Sequence, residues 1–215
     1  NCITENIKLG LGKKIAIYCV NKDKQTKSYT YDAINEKVDS FSDILIKHTK
    51  SEKLHSTRVM IHASASIESA VSMLSCAKLG IHFSVIFEDL APEAISKRIS
   101  LFKPNIFISR VKKKIFKKIF LKEEKSNKKT FFLFFDKLEF LDNKKKVNIK
   151  NKAFKGNKAL FTLFTSGSTG TPKGITHSCA GYLVYTKYTC KSQFGMSRDS
   201  IIVTASDAGW LNGHT

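Results

Sequence analysis

The segment with the clearest chemical potential is Thr165–Gly174, which reads TSGSTGTPKG. Its glycines allow the backbone to approach an anion closely and to turn N–H groups towards it. Lys173 adds a mobile positive charge, and Pro172 restricts the backbone beside it. Four hydroxyl groups can donate to phosphate oxygens, those of Ser166, Ser168, Thr169 and Thr171. Together these residue types predict a loop that binds a polyphosphate.

Two other interpretations of this segment were weighed. A Walker A loop needs glycine directly before its lysine and serine or threonine directly after it. Lys173 instead stands between Pro172 and Gly174, which excludes that class. A flexible Gly/Ser connection between two strands is the structural alternative. The complete ten-residue string, placed straight after the apolar run Ala159–Thr165, favours phosphate binding over that alternative.

The elements that must position this loop follow an alternating pattern. Strands are predicted at Ile15–Val20 (as a buried strand), Lys27–Thr30, Arg58–Ala63, His82–Phe87, Asn105–Ser109, Thr130–Phe135, Ala159–Thr165 and Ser200–Ala205. Helices are predicted at Tyr31–His48, Ser66–Leu79, Ala91–Leu101 and Gly181–Lys191. Strands that alternate with helices favour a parallel sheet covered by helices, an α/β fold.

Local signals mark several helix ends. Thr30 is placed to cap the N-terminus of the first long helix, and Pro92 suits the first turn of a later one. Gly80 is the natural stop of the helix that ends at Leu79. Residues 110–158 hold a strand candidate within a lysine-rich surface or loop.

Composition limits the class of protein. The chain of 215 residues has 37 basic and 18 acidic residues, a net charge of +19. Lysine supplies nearly all of that charge, since the arginines are Arg58, Arg98, Arg110 and Arg198. Base readout and bidentate phosphate contacts favour arginine, so we expect a solvated surface and no nucleic-acid partner. A basic anion- or nucleic-acid-binding module that merely contains a Gly/Ser loop stays open as the alternative from another class.

The sequence also constrains the cellular compartment and indicates how the chain relates to a longer protein. Five cysteines without CxxC or Cys/His spacing argue against a disulfide framework or a zinc site and fit a reducing, cytoplasmic location. No apolar run reaches the roughly 20 residues that a membrane helix needs. The chain starts at Asn1 and stops at Thr215 within what reads as a motif, so we expect it to be an internal part of a longer sequence.

The string TSGSTGTPKG resembles the signature phosphate loop of the adenylate-forming superfamily, which contains acyl-CoA synthetases, luciferases and adenylation domains. The resemblance extends upstream to Arg58–Phe87, to Ala91–Ile99 and to the lead-in Asn1-Cys2. Downstream, Gly174–Tyr185 and Thr204–Thr215 are similar to the branch that makes acetyl- and propionyl-CoA.

This resemblance implies a fold and a reaction. Residues 1–215 would be part of the large N-terminal, AMP-binding domain, a layered α/β unit with mostly parallel sheets. ATP would activate a short-chain acid, acetate preferred, to an acyl-adenylate, and coenzyme A would then take the acyl group. A propionyl-CoA or other short-chain synthetase is the alternative. The mobile C-terminal lid with its catalytic lysine and the Mg²⁺ ligand would lie outside this chain, which holds no catalytic or metal-binding residue and is expected to be inactive alone.

The resemblance also assigns residues. ATP phosphates would be bound by Thr165, Ser166, Gly167, Ser168, Thr169, Gly170, Thr171, Lys173 and Gly174. Trp210, Leu211 and Asn212 would form the pocket where the acyl group meets the CoA thiol, with Trp210 limiting acyl length. In these enzymes a basic stretch after the corresponding strand contacts the CoA nucleotide. Arg110, Lys112, Lys113 and Lys114 could serve there, but a solvated lysine surface is the favoured interpretation of this stretch. We expect His177 and His214 to be structural and Asp207 to orient the tryptophan-bearing loop.

The sequence departs from the pattern of this branch at three places. Glu88-Asp89 stand where Gly-Gly is usual, and the histidine is at position 82 with Phe83 before Ser84. Leu211-Asn212 follow the tryptophan in place of Val-Thr or Val-Val. The last departure bears on which acid is used.

Overall fold

The structure is a computed structural model that describes residues 2–21, 23–49, 51–111, 130–135, 147–165 and 171–213. In chain order its strands are β1 (Ile15–Val20), β2 (Thr26–Thr30), β3 (Arg58–His62), β4 (His82–Ile86), β5 (Ile106–Ser109), β6 (Phe131–Phe134), β7 (Ala159–Thr165) and β8 (Lys173–Ser178). Its α-helices are α1 (Thr4–Asn6), α2 (Tyr31–His48), α3 (Ile67–Leu79), α4 (Pro92–Phe102) and α5 (Cys179–Ser192). A π-helical turn covers Ile7–Leu11, and 3₁₀-helical turns cover Ser51–Ser56 and Leu211–Gly213. None of these helices is long and apolar enough to cross a bilayer.

Six strands form the central sheet in the order β6-β5-β3-β4-β7-β8. Neighbouring strands are parallel up to β7, and β8 pairs antiparallel with β7. The chain moves from β3 to its neighbour β4 and then crosses back to β5 on the other side of β3. The fold is therefore α/β with a mostly parallel sheet, as the alternating pattern predicted.

Two helical layers cover this sheet. On one face, α2 and α3 pack over Val59 and Ile61 of β3 and their neighbours. On the other face, α4 buries Ile95 and Ile99 against Met60 of the same strand. Successive side chains of a strand point to opposite faces, so Val59, Met60 and Ile61 of β3 are all apolar because one or the other layer covers each of them.

The helix ends follow the expected local chemistry. The Thr30 side chain accepts a hydrogen bond from the Ala33 backbone N–H at 3.2 Å, which caps α2. Ser66 and Ser69 form a reciprocal capping box at the start of α3. Gly80 ends α3 in the left-handed region with φ 66°, where a Cβ would also collide with the Phe154 ring. Pro92 occupies the first turn of α4.

The structure corrects two predictions and adds one strand that was not predicted. β1 is a strand but not a buried one, because it pairs only with β2 in a separate two-stranded sheet, and Val20 is 67% exposed. Residues 200–205 form no strand and are exposed. A strand needs a hydrogen-bonded neighbour, and none of the described strands pairs with this segment. Conversely, β8 forms where no strand was predicted, because β7 supplies the backbone partners for a polar sequence.

Candidate functional site

The predicted phosphate loop connects two paired strands. Thr165 at the end of β7 lies opposite Lys173 at the start of β8, and the Thr165 hydroxyl donates to the Lys173 carbonyl at 3.4 Å. We call β7, β8 and their connection the β7–β8 hairpin. Of the residues assigned to phosphate binding, Thr165, Thr171, Lys173 and Gly174 are described, whereas Ser166, Gly167, Ser168, Thr169 and Gly170 lie outside the described residues. The paired strands thus fix the two ends of the connection.

Lys173 has the properties of an available cation. Its side chain and that of Thr171 are exposed. Within the described ranges, no carboxylate lies within ion-pair distance of its ammonium group, although five other lysines there do have acidic partners. An anion at the end of the hairpin would therefore meet a positive charge that is not neutralised by those residues.

Gly174 has a packing reason to be glycine. It lies directly opposite Phe164 in the hairpin. A Cβ at this position would lie 3.0 Å from Thr162 Cγ2 and 3.3 Å from the Phe164 ring. Glycine thus lets the Phe164 ring lie across β8 and keeps Lys173 next to its partner strand.

Hydrogen bonds tie the hairpin to the parallel sheet. The Nε2 atom of His82, on β4, lies 2.8 Å from the Thr162 hydroxyl, which in turn lies 2.7 Å from the Thr176 hydroxyl. Burial, together with the charge of Arg58, lowers the pKa of His82 to about 4. His82 is therefore a neutral imidazole near neutral pH and links three strands through side chains.

His177 serves the packing of the hairpin. Its ring stacks on Phe161 of β7 with centroids 4.7 Å apart, and Tyr182 of α5 approaches both rings edge-on. This arrangement agrees with the structural role expected for His177. His214 lies outside the described residues.

The segment that carries Trp210 is a tight turn anchored in the core. Asp207 accepts the Gly209 backbone N–H through Oδ1 at 2.7 Å and the Trp210 N–H through its own carbonyl at 3.0 Å. Ala208 is buried at 2% exposure, whereas Trp210 is 58% exposed. The prediction that Asp207 orients this loop is confirmed. Asn212 lies in the following turn, Leu211–Gly213.

An apolar cavity of about 640 Å³ lies between α5 and residues 202–206. His177 of β8 and Leu211 both line it, so it joins the hairpin to the turn after Trp210. Tyr182, Tyr185 and Phe194 supply aromatic walls. Of the three predicted pocket residues, Leu211 reaches this cavity, and Trp210 instead contacts Phe87 with ring centroids 5.5 Å apart.

A second polar cluster occupies the carboxyl ends of β3, β4 and β5. Glu88 accepts the Ser64 backbone N–H at 3.0 Å, and His62 Nδ1 lies 2.9 Å from the Ser109 hydroxyl. Partial burial acts to raise the pKa of Glu88, but the hydrogen bonds from Ser64 and the charge of Arg110 outweigh it and lower that pKa. Glu88, which replaces a usual glycine, thereby fixes the loop that leads into α3.

The predicted CoA-nucleotide residues begin in this cluster. Arg110 follows β5 directly and is exposed, and its backbone N–H donates to the His62 carbonyl at 3.3 Å. Lys112, Lys113 and Lys114 lie outside the described residues. Ligands in open parallel sheets bind at the carboxyl ends of strands, so Arg110 stands at a suitable edge.

The described residues do not provide a Mg²⁺ site. In that part of the chain, no group of three or more histidine, cysteine, aspartate or glutamate side chains could hold a metal ion. Glu88 and Asp207 are each engaged by a backbone N–H group, and Asp39 and Asp43 are paired with lysines. These residues therefore do not fit the ion that the resemblance implies.

This chain belongs to the family of AMP-binding enzymes, whose family model matches residues 9–215. Its membership of the adenylate-forming superfamily is thereby confirmed. Curated relatives are named acetyl-coenzyme A synthetase. The protein of Drosophila melanogaster is 26% identical over all of this chain and 37% of its own length. Those of the gamma-proteobacterium EBAC31A08 and Bartonella quintana are each 30% identical, with the whole of this chain matching 36% of their length.

Among solved structures, acetoacetyl-CoA synthetase from Streptomyces lividans superposes with a TM-score of 0.78. It is 16% identical, and the match covers 99% of this chain and 35% of that one. At this identity the likeness concerns the fold, which it confirms. The chain thus spans about a third of the length of the relatives and the structure that it matches.

Sequence reasoning missed two features of this site. The hydrogen bonds that link His82 to Thr162 and Thr162 to Thr176 join residues far apart in the sequence, and no local sequence pattern predicts them. The contact between Phe87 and Trp210 is equally non-local. Gly209 was the available signal, since a glycine beside a large aromatic residue indicates a close approach of the backbone.

Proposed function

We propose that this chain is part of an AMP-forming synthetase that activates a short-chain carboxylate, acetate preferred, and transfers it to coenzyme A. Residues 1–215 would be part of its N-terminal AMP-binding domain, and a C-terminal lid would complete the site. The observation that carries the proposal is the sequence TSGSTGTPKG at the end of a hairpin whose exposed Lys173 has no described acidic partner. The family match over residues 9–215 supports ATP as the nucleotide.

The chemistry explains why ATP is needed. A carboxylate is a poor electrophile because its negative charge is spread over two oxygens. One carboxylate oxygen attacks the α-phosphorus of ATP, the bond to the β-phosphate oxygen breaks, and pyrophosphate leaves. The CoA thiol, on losing its proton, then attacks the acyl carbon, and AMP departs with the electrons of the acyl–oxygen bond.

The hairpin would act on the leaving group. Lys173 and the loop hydroxyls, including that of Thr171, would hold the β- and γ-phosphates, so that the α-phosphorus faces the carboxylate in line. Catalysis of phosphoryl and nucleotidyl transfer is largely positioning plus stabilisation of charge. Mg²⁺ supplies further charge neutralisation when it is bound, through ligands beyond the described residues.

The acyl group would bind beside Trp210, Leu211 and Asn212. The apolar cavity lined by Leu211 offers a suitable environment for an alkyl chain. Its volume does not favour acetate over longer acids. The preference for acetate is therefore proposed from the names of the relatives and from the bulk of Trp210.

Pyrophosphate release tests this function. The assay uses a synthetase of the relatives' length that contains this chain, with acetate, propionate or butyrate, each with and without CoA. We expect acetate-dependent release, with AMP and acetyl-CoA as products when CoA is present. A preference for propionate would indicate a propionyl-CoA synthetase. If none of the three acids causes pyrophosphate release, the proposed substrate class is contradicted.

A further inference from the structure

A second cavity, of about 380 Å³, lies at the amino ends of β3, β4 and β7. Arg58, His82 and Ala159 are the first residues of these strands, and all three line it. We call this cavity the basic pocket, and its other walls are His55, Ser56, Thr57 and Lys158. The phosphate loop starts at Thr165, the last residue of β7. The basic pocket and the phosphate loop therefore lie at opposite ends of that strand.

The basic pocket holds positive charge without a matching carboxylate. No acidic side chain is among its described walls. Arg58 and Lys158 both line it, and neither forms an ion pair with an acidic residue in the described part of the chain. The Arg58 guanidinium lies over the Phe102 ring, 5.9 Å from its centroid. Its charge is therefore balanced by a ring face and not by an anion of these residues.

The histidines beside these two cations do not neutralise them. Nζ of Lys158 lies 3.3 Å from Nδ1 of His55. An ammonium group can only donate, so Nδ1 accepts, and the neutral ring of His55 carries its hydrogen on the other nitrogen. Burial, and then the charge of Arg58, lowers the pKa of His82 to about 4. The guanidinium is therefore close to the His82 ring, and this wall of the pocket is neutral at physiological pH.

We propose that the basic pocket binds a phosphate dianion, either free or as the monoester of a small molecule, at a site separate from the ATP loop. The planar fork of an arginine matches two phosphate oxygens, and a lysine adds a second positive charge. Like charges that line one cavity repel each other, and a dianion neutralises both. The volume of the pocket lies within the range of small-molecule sites.

The shape of the pocket favours a small ligand over a nucleic acid. A nucleic-acid backbone presents many phosphates and is bound by many lysines and arginines spread over a surface. Here the cations converge on one cavity between the ends of strands, and Arg58 and Lys158 are half-buried. The pocket also shares no residue with the phosphate loop or with the apolar cavity that Leu211 lines. The inference therefore does not depend on which acid the enzyme activates.

Calorimetric titration tests the inference. The full-length synthetase is titrated in the absence of ATP with inorganic phosphate or with glycerol 3-phosphate, at constant ionic strength, and glycerol is the uncharged control. We expect saturable binding of at least one of the two phosphates and none of glycerol. The tighter of the two identifies the ligand as the free ion or as the ester. Absence of saturable binding of both up to about 10 mM would overturn the inference.

Substitutions locate the binding. Arg58→Gln and Lys158→Gln should each weaken it by about tenfold or more, as expected when a hydrogen bond to a charged group is lost. Arg58→Lys, which keeps the charge but not the fork, should have an intermediate effect. Lys155→Gln and Arg198→Gln are the matched controls, because both residues are exposed and neither lines the pocket. Circular dichroism of each variant checks that it is folded. Unchanged affinity in both Arg58→Gln and Lys158→Gln would contradict the proposed site.

Lys173→Ala separates the basic pocket from the phosphate loop. Binding in the pocket should persist in this variant, because Lys173 lies at the far end of the hairpin. Complete loss of phosphate binding in Lys173→Ala would place the ligand at the loop and overturn the inference. A synthetase that binds phosphate in the basic pocket but activates no short acid would contradict only the proposed function.

Discussion

Lys78 of α3 and Asp39 of α2 form an ion pair in the interior, with side-chain exposures of 6% and 4%. Asp39 also accepts a hydrogen bond from Asn35 at 3.2 Å. One turn away along α3, the Ser75 hydroxyl donates to the Val38 carbonyl at 3.1 Å. Polar contacts therefore fix how the two helices lie against each other over the sheet.

Removal of one partner of this ion pair should strongly lower the free energy of unfolding. Lys78→Met leaves the Asp39 carboxylate buried without its counter-charge, and we expect a loss of about 3–5 kcal/mol in the free energy of unfolding. The measurement is urea unfolding followed by circular dichroism. Lys47→Met is the control. The Lys47–Asp43 pair lies on α2, the helix that carries Asp39, but its side chains are 65% and 27% exposed. The control should cost about 0–1 kcal/mol, and a loss of that size in Lys78→Met would contradict the prediction.

Lys173→Ala should impair adenylation more than thioester formation. If the ammonium group stabilises the departing pyrophosphate, its loss should slow pyrophosphate release by about 100- to 1,000-fold, the range for one electrostatic contact in a transition state. Thioester formation from supplied acyl-adenylate does not involve those phosphates and should change little. Lys187→Ala, on the exposed side of α5, is the control. Equal loss in both half-reactions would exclude the proposed role of Lys173.

Trp210→Gly should extend the range of acids. Without the indole, the pocket gains length, and we expect kcat/KM for butyrate and longer acids to rise relative to that for acetate. The chain-length profile of the full-length synthetase is the measurement. An unchanged profile would count against Trp210 as the wall of the acyl pocket.

Stability should fall in mild acid because of two buried histidines. Burial lowers the pKa of His62 to about 4 against the opposing effect of Glu88 and Asp89, and burial with the charge of Arg58 does the same for His82. In the unfolded chain both rings take up a proton near pH 6.5, the ordinary pKa of a histidine. The unfolded state therefore binds more protons between about pH 6.5 and 4, and the free energy of unfolding falls as the pH falls through this range.

The slope of stability against pH tests this linkage. Urea unfolding from neutral pH down to about pH 4 should show a smaller decline in His62→Asn than in the wild type. An equal slope in wild type and His62→Asn would show that His62 does not contribute.

Local residue chemistry determined most elements of this fold. Apolar runs predicted β3, β4, β5 and β7, because strands covered on both faces have few polar positions. Thr30 and Gly80 marked helix ends, because capping and left-handed backbone depend on the residue itself. The string TSGSTGTPKG indicated the superfamily by its resemblance to that superfamily's signature loop, and its glycines, hydroxyls and lysine are residue types suited to binding phosphate.

Tertiary structure decided the rest. β8 is a strand because β7 offers it backbone partners, whereas residues 200–205, which are richer in β-branched residues, find none among the described strands. The sequence could not indicate that Phe87 would contact Trp210, because that contact arises only when β4 and the turn at Asp207 are brought together. Sequence therefore determined which groups are available for chemistry, and packing determined their neighbours, because contacts between distant segments depend on the sheet order and not on local spacing.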